Sequence, residues 1–277
     1  MKKTAFSLAL ILLLCSVFTS CSGTSSETAS DPEAEFTTTY VQRDHSEGLN
    51  FVEIWGGSGP YAYRVEAGNC TDSEIVIPKE YNGLPVILID YNAFKEHAEM
   101  TQVYIPDSVT NIGEYAFAKS RALKSVVVPD SVTTLGIGVF QSCSSLEGAV
   151  LPKGLTTIPY NTFANCSSLK SIEIPAGVTV IDTDAFYGCS ALKSVVIPDG
   201  AELIASTAFY GCYSLESITI PASVKKLGKS VFRGNTKMEN IYYGGTKAQW
   251  NALEKGQDWD KDIPSYTVHC SDGDIVK

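Results

Sequence analysis

Phenylalanine occupies positions 94, 117, 140, 163, 186, 209 and 232, and every interval is 23 residues. Proline keeps the same interval at 106, 129, 152, 175, 198 and 221, and cysteine at 143, 166, 189 and 212. Three ladders with one period constrain the chain to an array of stacked 23-residue units. The apolar positions share the period. Met100, Leu123, Leu146, Leu169, Leu192, Leu215 and Met238 form one column. Val103, Val126, Ala149, Ile172, Val195, Ile218 and Ile241 form a second. Ile105, Val128, Leu151, Ile174, Ile197, Ile220 and Tyr243 form a third. The resulting L-x-x-I-x-I spacing ends in strand-like alternation, with every second side chain on one face. A fourth column, from Ile112 to Leu227, starts seven residues after the third.

A single unit offers about six inward side chains and cannot bury them alone, whereas stacked units bury them against each other. The pattern therefore predicts a repeat solenoid over residues 75–243, a right-handed coil with a parallel β-sheet on one face. Proline ends each strand because it has no N–H to give to the ladder. The G-x-x-A-F-x-x-C stretch returns the chain as a helical turn or an irregular loop. The first unit is longer than the others: Ile77 to Ile89 spans 12 residues where Ile105 to Ile112 spans 7. Residues 41–74 read as an N-terminal cap, a β-hairpin with a glycine-rich turn from Gly56 to Gly59 that covers the exposed edge. Residues 244–277 read as a C-terminal helical cap. Thr246 and Gln249 fit a capping box there, and Trp250 and Leu253 are placed over the last coil.

The unit resembles the bacterial BspA-like leucine-rich repeat, a 23-residue class, over residues 75–243. The segments IVIPKEYNGLPVILIDYNAF, residues 75–94, and GGTKAQWNAL, residues 244–253, resemble that family's first repeat and closing segment. The resemblance implies a binding scaffold, and in some members adhesion to host extracellular proteins or to other cells.

The N-terminus has a separate logic. Lys2 and Lys3 precede an apolar run from Ala5 to Phe18, the pattern of a secretory signal and too short for a membrane-spanning helix. It ends in FTSC, which resembles a bacterial lipobox and implies lipidation of Cys21, although Phe18 stands where leucine is usual. Cys15 competes poorly, since bulky Leu14 precedes it. On this reading residues 1–21 are a lipoprotein signal. Residues 22–40, rich in Ser, Thr and acidic side chains, form a disordered tether. The full chain has a formal charge of −10; without Lys2 and Lys3 it carries 19 basic against 31 acidic residues, or −12. That sign repels phosphate backbones and speaks against nucleic acid as a partner.

The cysteine column is read across all repeats as His97, Ser120, Cys143, Cys166, Cys189, Cys212 and Asn235. Every occupant can form hydrogen bonds, so the column is expected to satisfy backbone groups at the turns. A metal site is disfavoured, because a straight row at one spacing is no tetrahedral cluster and no C-x-x-C or H-E-x-x-H pair occurs. Disulfides within the column are disfavoured too, since parallel side chains hold their Cβ atoms near ~4.8 Å apart, beyond the usual ~3.8 Å. His45, His97 and His269 form no catalytic set by position, no nucleotide-binding motif occurs, and no cofactor is implied.

The remaining functional surface is the sheet face. Its outward column is Tyr104, Val127, Val150, Glu173, Val196, Thr219 and Tyr242. Beside it runs a small polar column: Gln102, Ser125, Gly148, Ser171, Ser194, Ser217 and Asn240. Valine and threonine there also serve strand formation alone. As a face, the strip suits recognition of an extracellular protein or glycan, with Tyr104 and Tyr242 as anchors. The leading expectation is a non-enzymatic binding or adhesion protein, lipid-anchored to the bacterial envelope and surface-exposed. A passive envelope spacer is the alternative, and a surface glycan or peptide hydrolase a weaker one.

Overall fold

A computed structural model describes residues 45–277. The signal segment, Cys21, the tether and positions 41–44 of the expected N-terminal cap lie outside the described residues. The 23-residue period becomes a β-solenoid, in which equivalent positions of successive coils face each other in parallel register. Ser194↔Ser217↔Asn240 is one such run.

The expected sheet is present along one side. Its strands are Glu74–Val76, Gln102–Tyr104, Ser125–Val127 and Gly148–Val150. They are followed by Ser194–Val196, Ser217–Ile220, Asn240–Tyr243 and Thr267–Cys270. A second parallel ladder, which the alternation does not predict, lies on the other side. Its strands are two residues long from Asn111–Ile112 to Glu254–Lys255. Ile112, Ile158, Ile181, Ile204 and Leu227 point from this ladder into the core, each at most 1% exposed.

The seven phenylalanines fill the core where the chain turns. Their rings stack coil on coil with centroids 5.1 to 6.0 Å apart, and each is at most 1% exposed. That spacing follows the ~4.8 Å rise between strands with the small offset that parallel rings prefer. The return stretch is no helix but a succession of tight turns zipped to the next coil. Phe94 N–H donates to Ala116 C=O at 2.6 Å, and Phe117 N–H to Val139 C=O at 3.0 Å.

Each turn holds two residues in the left-handed region. One lies two positions before the phenylalanine: Asn92, Tyr115, Gly138, Asn161, Asp184, Thr207 and Ser230, with φ from 54° to 60°. The other lies two positions after it, from Glu96 to Gly234. Glycine and asparagine adopt this conformation readily, whereas β-branched Thr207 at φ 56° does not.

Both ladders are interrupted once. The second splits between Thr134–Leu135 and Thr157–Ile158. There Pro159 stands where Gly136, Asp182, Ala205 and Gly228 each donate an N–H to the preceding coil, and proline has none to give. The first splits at residues 171–173, which form no strand. The coil before it contains Gly148 and Ala149, both poor strand formers. Ala149 is only half-buried, although it occupies a valine/isoleucine column.

The N-terminal hairpin pairs Asn50–Gly56 with Gly59–Glu66. It attaches through parallel pairing to Leu84–Ile89, so it covers the edge of the second ladder. Ser46 closes the edge of the first, donating its N–H to Val76 C=O and accepting from Val76 N–H through its hydroxyl, both at 3.0 Å. The five extra residues of the first coil make a small hairpin, Glu80–Tyr81 with Leu84–Pro85. Asn82 at φ 48° and Gly83 at φ 79° form its turn, the pair a type I′ turn requires.

At the other end the helix Lys247–Ala252 carries the predicted capping box, and Trp250 is buried. The helix does not end the solenoid, as the boundary at residue 243 implied. Glu254–Lys255 pairs with Lys226–Leu227, and Thr267–Cys270 with Asn240–Tyr243, so one more coil follows. Gly273–Val276 then folds back antiparallel and closes the edge. In this last coil Tyr243 to Lys255 spans 12 residues, as Ile77 to Ile89 does in the first, against the usual 7.

The strain at Thr207 yields a measurable expectation. Thr207→Asn keeps the turn and relieves the left-handed penalty, so it is expected to stabilise the fold by about 1 kcal/mol. A higher urea midpoint with an unchanged slope is the expected result; a lower midpoint would contradict the strain.

Candidate functional site

The outward column is set on the first ladder by alternation. Tyr104, Val127, Val150, Val196, Thr219 and Tyr242 lie in its strands. Val127 is 42% exposed, Val196 65% and Tyr242 45%, whereas Tyr104, Val150 and Thr219 are half-buried. Glu173 is exposed but sits in the gap where no strand forms, so the row is two runs and not one. Val76 extends it at one end, in register with Tyr104, and His269 at the other, in register with Tyr242.

Sequence reasoning missed His269. Its signal was the alternation of TVHC, which the 27-residue step from Asn240 to Thr267 takes out of the period. The His269 ring stacks on Tyr242 with centroids 4.9 Å apart and planes 18° apart. Its Nε2 meets Asn240 Oδ1 at 2.9 Å and its Nδ1 meets Asp274 Oδ1 at 3.1 Å. Polar contacts on both ring nitrogens fix the imidazole, and the imidazole fixes the tyrosine face. An open depression of about 390 Å³ is lined by Glu239, Asn240, Tyr266 and Thr267 together with Val276 and Lys277, and not by the stacked pair itself. The strip therefore ends on this side in a rigid aromatic pair.

Exposed ion pairs join successive coils at the 23-residue interval, including Lys170–Glu147 at 2.6 Å and Lys119–Glu96 at 2.8 Å. Each lysine holds its carboxylate partner below the usual range by hydrogen bonding and charge. Pairs this exposed add little stability. They neutralise acidic side chains along the coil stack.

The cysteine column faces the core. Cys143 Sγ donates to Phe117 C=O and Cys166 Sγ to Phe140 C=O, both at 3.1 Å, and Cys189 and Cys212 repeat the contact at 3.2 and 3.3 Å. Ser120 Oγ does the same to Phe94 C=O at 2.7 Å. His97 accepts Met100 N–H through Nδ1 and meets Cys70 C=O through Nε2. Asn235 accepts Cys212 N–H through Oδ1, and its buried Nδ2 has no partner. The six described cysteines are free thiols. Burial pushes the Cys143 and Cys212 thiols up to about 12 and holds Cys166 and Cys189 well above the ordinary value. A thiol so disposed is no nucleophile near neutrality. Among the described residues no three His, Cys, Asp or Glu side chains are grouped to hold a metal ion, and no helix is long and apolar enough to cross a membrane.

These thiols weaken the fold at alkaline pH, alongside the Tyr266 phenol, which burial and Asp260 also push up. The unfolded chain releases their protons near pH 9, whereas the folded chain keeps them to about 12. Stability is thus full below about pH 9 and falls as pH rises through that window, by up to about 1.4 kcal/mol per pH unit per thiol. Urea midpoints measured from pH 8 to 11 are expected to fall more steeply for the wild type than for Cys143→Ser/Cys212→Ser. Parallel curves would refute the linkage.

A search of curated proteins returns no match. Among solved structures, the chain resembles the T. pallidum leucine-rich repeat protein TpLRR. The two are 24% identical, with 74% of this chain and 83% of that one covered, at a TM-score of 0.51. A leucine-rich cell surface protein from Faecalibacterium prausnitzii matches at 20% identity and a TM-score of 0.39, covering 82% of this chain and 99% of that one. The first likeness concerns the fold alone. The family model for the BspA type leucine-rich repeat region matches six copies, over residues 87–189 and 156–254. With more than half of its length matched in this way, the chain belongs to the BspA-type leucine-rich repeat family.

Proposed function

We propose that the chain is a surface-anchored binding protein that recognises an extracellular protein or glycan through the face of its first ladder. The observation that carries this reading is the row of exposed side chains on a fixed backbone, Val127, Val196 and Tyr242, ending in the Tyr242–His269 stack. Side chains exposed at multiples of the 23-residue interval, on two runs of parallel strands, present a contact surface without a rearrangement cost. Tyr104 and Tyr242 are the anchors, since tyrosine brings large contact area at low entropic cost. Cys21 is the lipid attachment point, which ties the array to a bacterial envelope. Ligand recognition of this kind requires no catalytic group.

Immobilised matrix proteins and cell-surface glycans, probed with residues 36–277, test the reading. Saturable binding is expected, and the Tyr104→Ala/Tyr242→Ala double variant is expected to weaken it about tenfold or more, the scale of lost interface anchors. Unchanged binding in the variant removes the face. Absence of saturable binding to the whole panel favours a passive spacer. In cells, Cys21→Ala is expected to shift the protein from the membrane to the soluble fraction, and retention there refutes the anchor.

A further inference from the structure

The N-terminal hairpin ends in an exposed aromatic tip that neither the core nor the binding strip uses. Trp55 is 67% exposed and Tyr61 53%. The other two tryptophans lie at the far end, Trp250 buried and Trp259 half-buried. The tip is shaped by an irregular register: Ile54 pairs with Ala62 but Trp55 pairs with Pro60, so Tyr61 is the extra residue of a bulge. Bulges re-aim side chains, and here the Tyr61 ring comes to lie against Gly56. A Cβ at Gly56 would stand 3.4 Å from Tyr61 Cδ1. From Trp55 to Tyr61 the sequence WGGSGPY contains no charge, in a chain that is acidic overall. Two amphipathic rings on an uncharged, glycine-rich projection have the composition that settles at the headgroup level of a bilayer.

The path of the chain supports the same occupant. His45, the first described residue, packs edge-on against Phe51 of the hairpin and against Tyr81. The segment leading back to Cys21 therefore joins the fold at the hairpin end. Only 23 residues lie between Cys21 and His45, a reach of at most roughly 80 Å. Attachment at Cys21 holds the tip at high effective concentration beside the lipid, where a contact too weak for free protein becomes populated.

We propose that Trp55 and Tyr61 dock into a zwitterionic bilayer surface and set the orientation of the anchored array, with the hairpin end at the membrane. This rests on the anchored reading above, but it is testable without natural lipidation. The chain from Cys21 onward, carrying Cys270→Ser, is coupled through Cys21 to a maleimide lipid in phosphatidylcholine vesicles. Tryptophan emission is then compared with and without lipids brominated near the headgroup end of the acyl chain. The expected result is a loss of emission and a blue shift in the parent chain that Trp55→Phe abolishes. Both are expected to persist at high salt, because no charge drives the contact. Emission unaffected by bromination, or quenching retained in Trp55→Phe, overturns the docking. Loss of the effect at high salt overturns the neutral-lipid assignment. Because the anchor is supplied chemically, a failure here is distinct from a failure of the Cys21→Ala fractionation, which addresses natural lipidation alone.

Discussion

The arrangement depends on how five of the seven turns dispose of the carbonyl of the stacked phenylalanine. That carbonyl accepts the backbone N–H three residues on, as Phe117 does from Ser120 at 3.1 Å, and keeps a second lone pair between apolar columns, away from water. A thiol or hydroxyl of the next coil donates to it, from Cys143 to Phe117 and from Ser120 to Phe94. The contact holds the turn at the spacing the rings need, and the rings in turn seal it. A cysteine is small enough to fit beside the stack and apolar enough to be buried at little cost. Its repetition therefore reflects packing, and four thiols with raised proton affinity follow from the same geometry that leaves them inert.

The period made the fold legible in the sequence, and wherever the period lapses the reading weakens. Alternation over L-x-x-I-x-I exposed the first ladder. The second ladder escaped because two-residue strands such as Val180–Ile181 are too short to alternate. The Asn82–Gly83 turn had a readable signature but lay in the lengthened first coil. The last coil was hidden by its 27-residue step and by Trp259, which takes over the aromatic contact with Phe232 at 6.2 Å. Of the candidate strip, the column itself was visible, but the exposure of each member was not. Exposure depends on neighbouring coils, and Glu173 falls in the gap that follows the Gly148–Val150 strand.

The two ladder interruptions divide labour between the sides of the coil. Pro159 removes a donor from the second ladder, and the absent strand at residues 171–173 interrupts the first. Through both, the phenylalanine stack continues, with Phe140–Phe163 at 5.5 Å and Phe163–Phe186 at 5.4 Å. The turn amides continue as well, Phe140 N–H donating to Thr162 C=O at 3.0 Å and Phe163 N–H to Ala185 C=O at 2.8 Å, so ring burial and the turn zipper together carry continuity where a ladder lapses.

The first and last coils are lengthened at the same place. Each has 12 residues in place of 7 on the arc that leaves the first ladder and enters the second. One uses the surplus for a hairpin and the other for a short helix, and both rejoin the stack in register. The turn arc offers no such latitude, because its amides are zipped to the neighbouring coil at every second residue. The array thus has a natural splice point: a foreign loop grafted between Pro129 and Leu135, or at its counterpart in any inner coil, enters where the fold already absorbs extra chain. A protein engineer gains a ruler with evenly spaced mounting positions, and evolution gains a way to vary a binding surface without disturbing the stack that supports it.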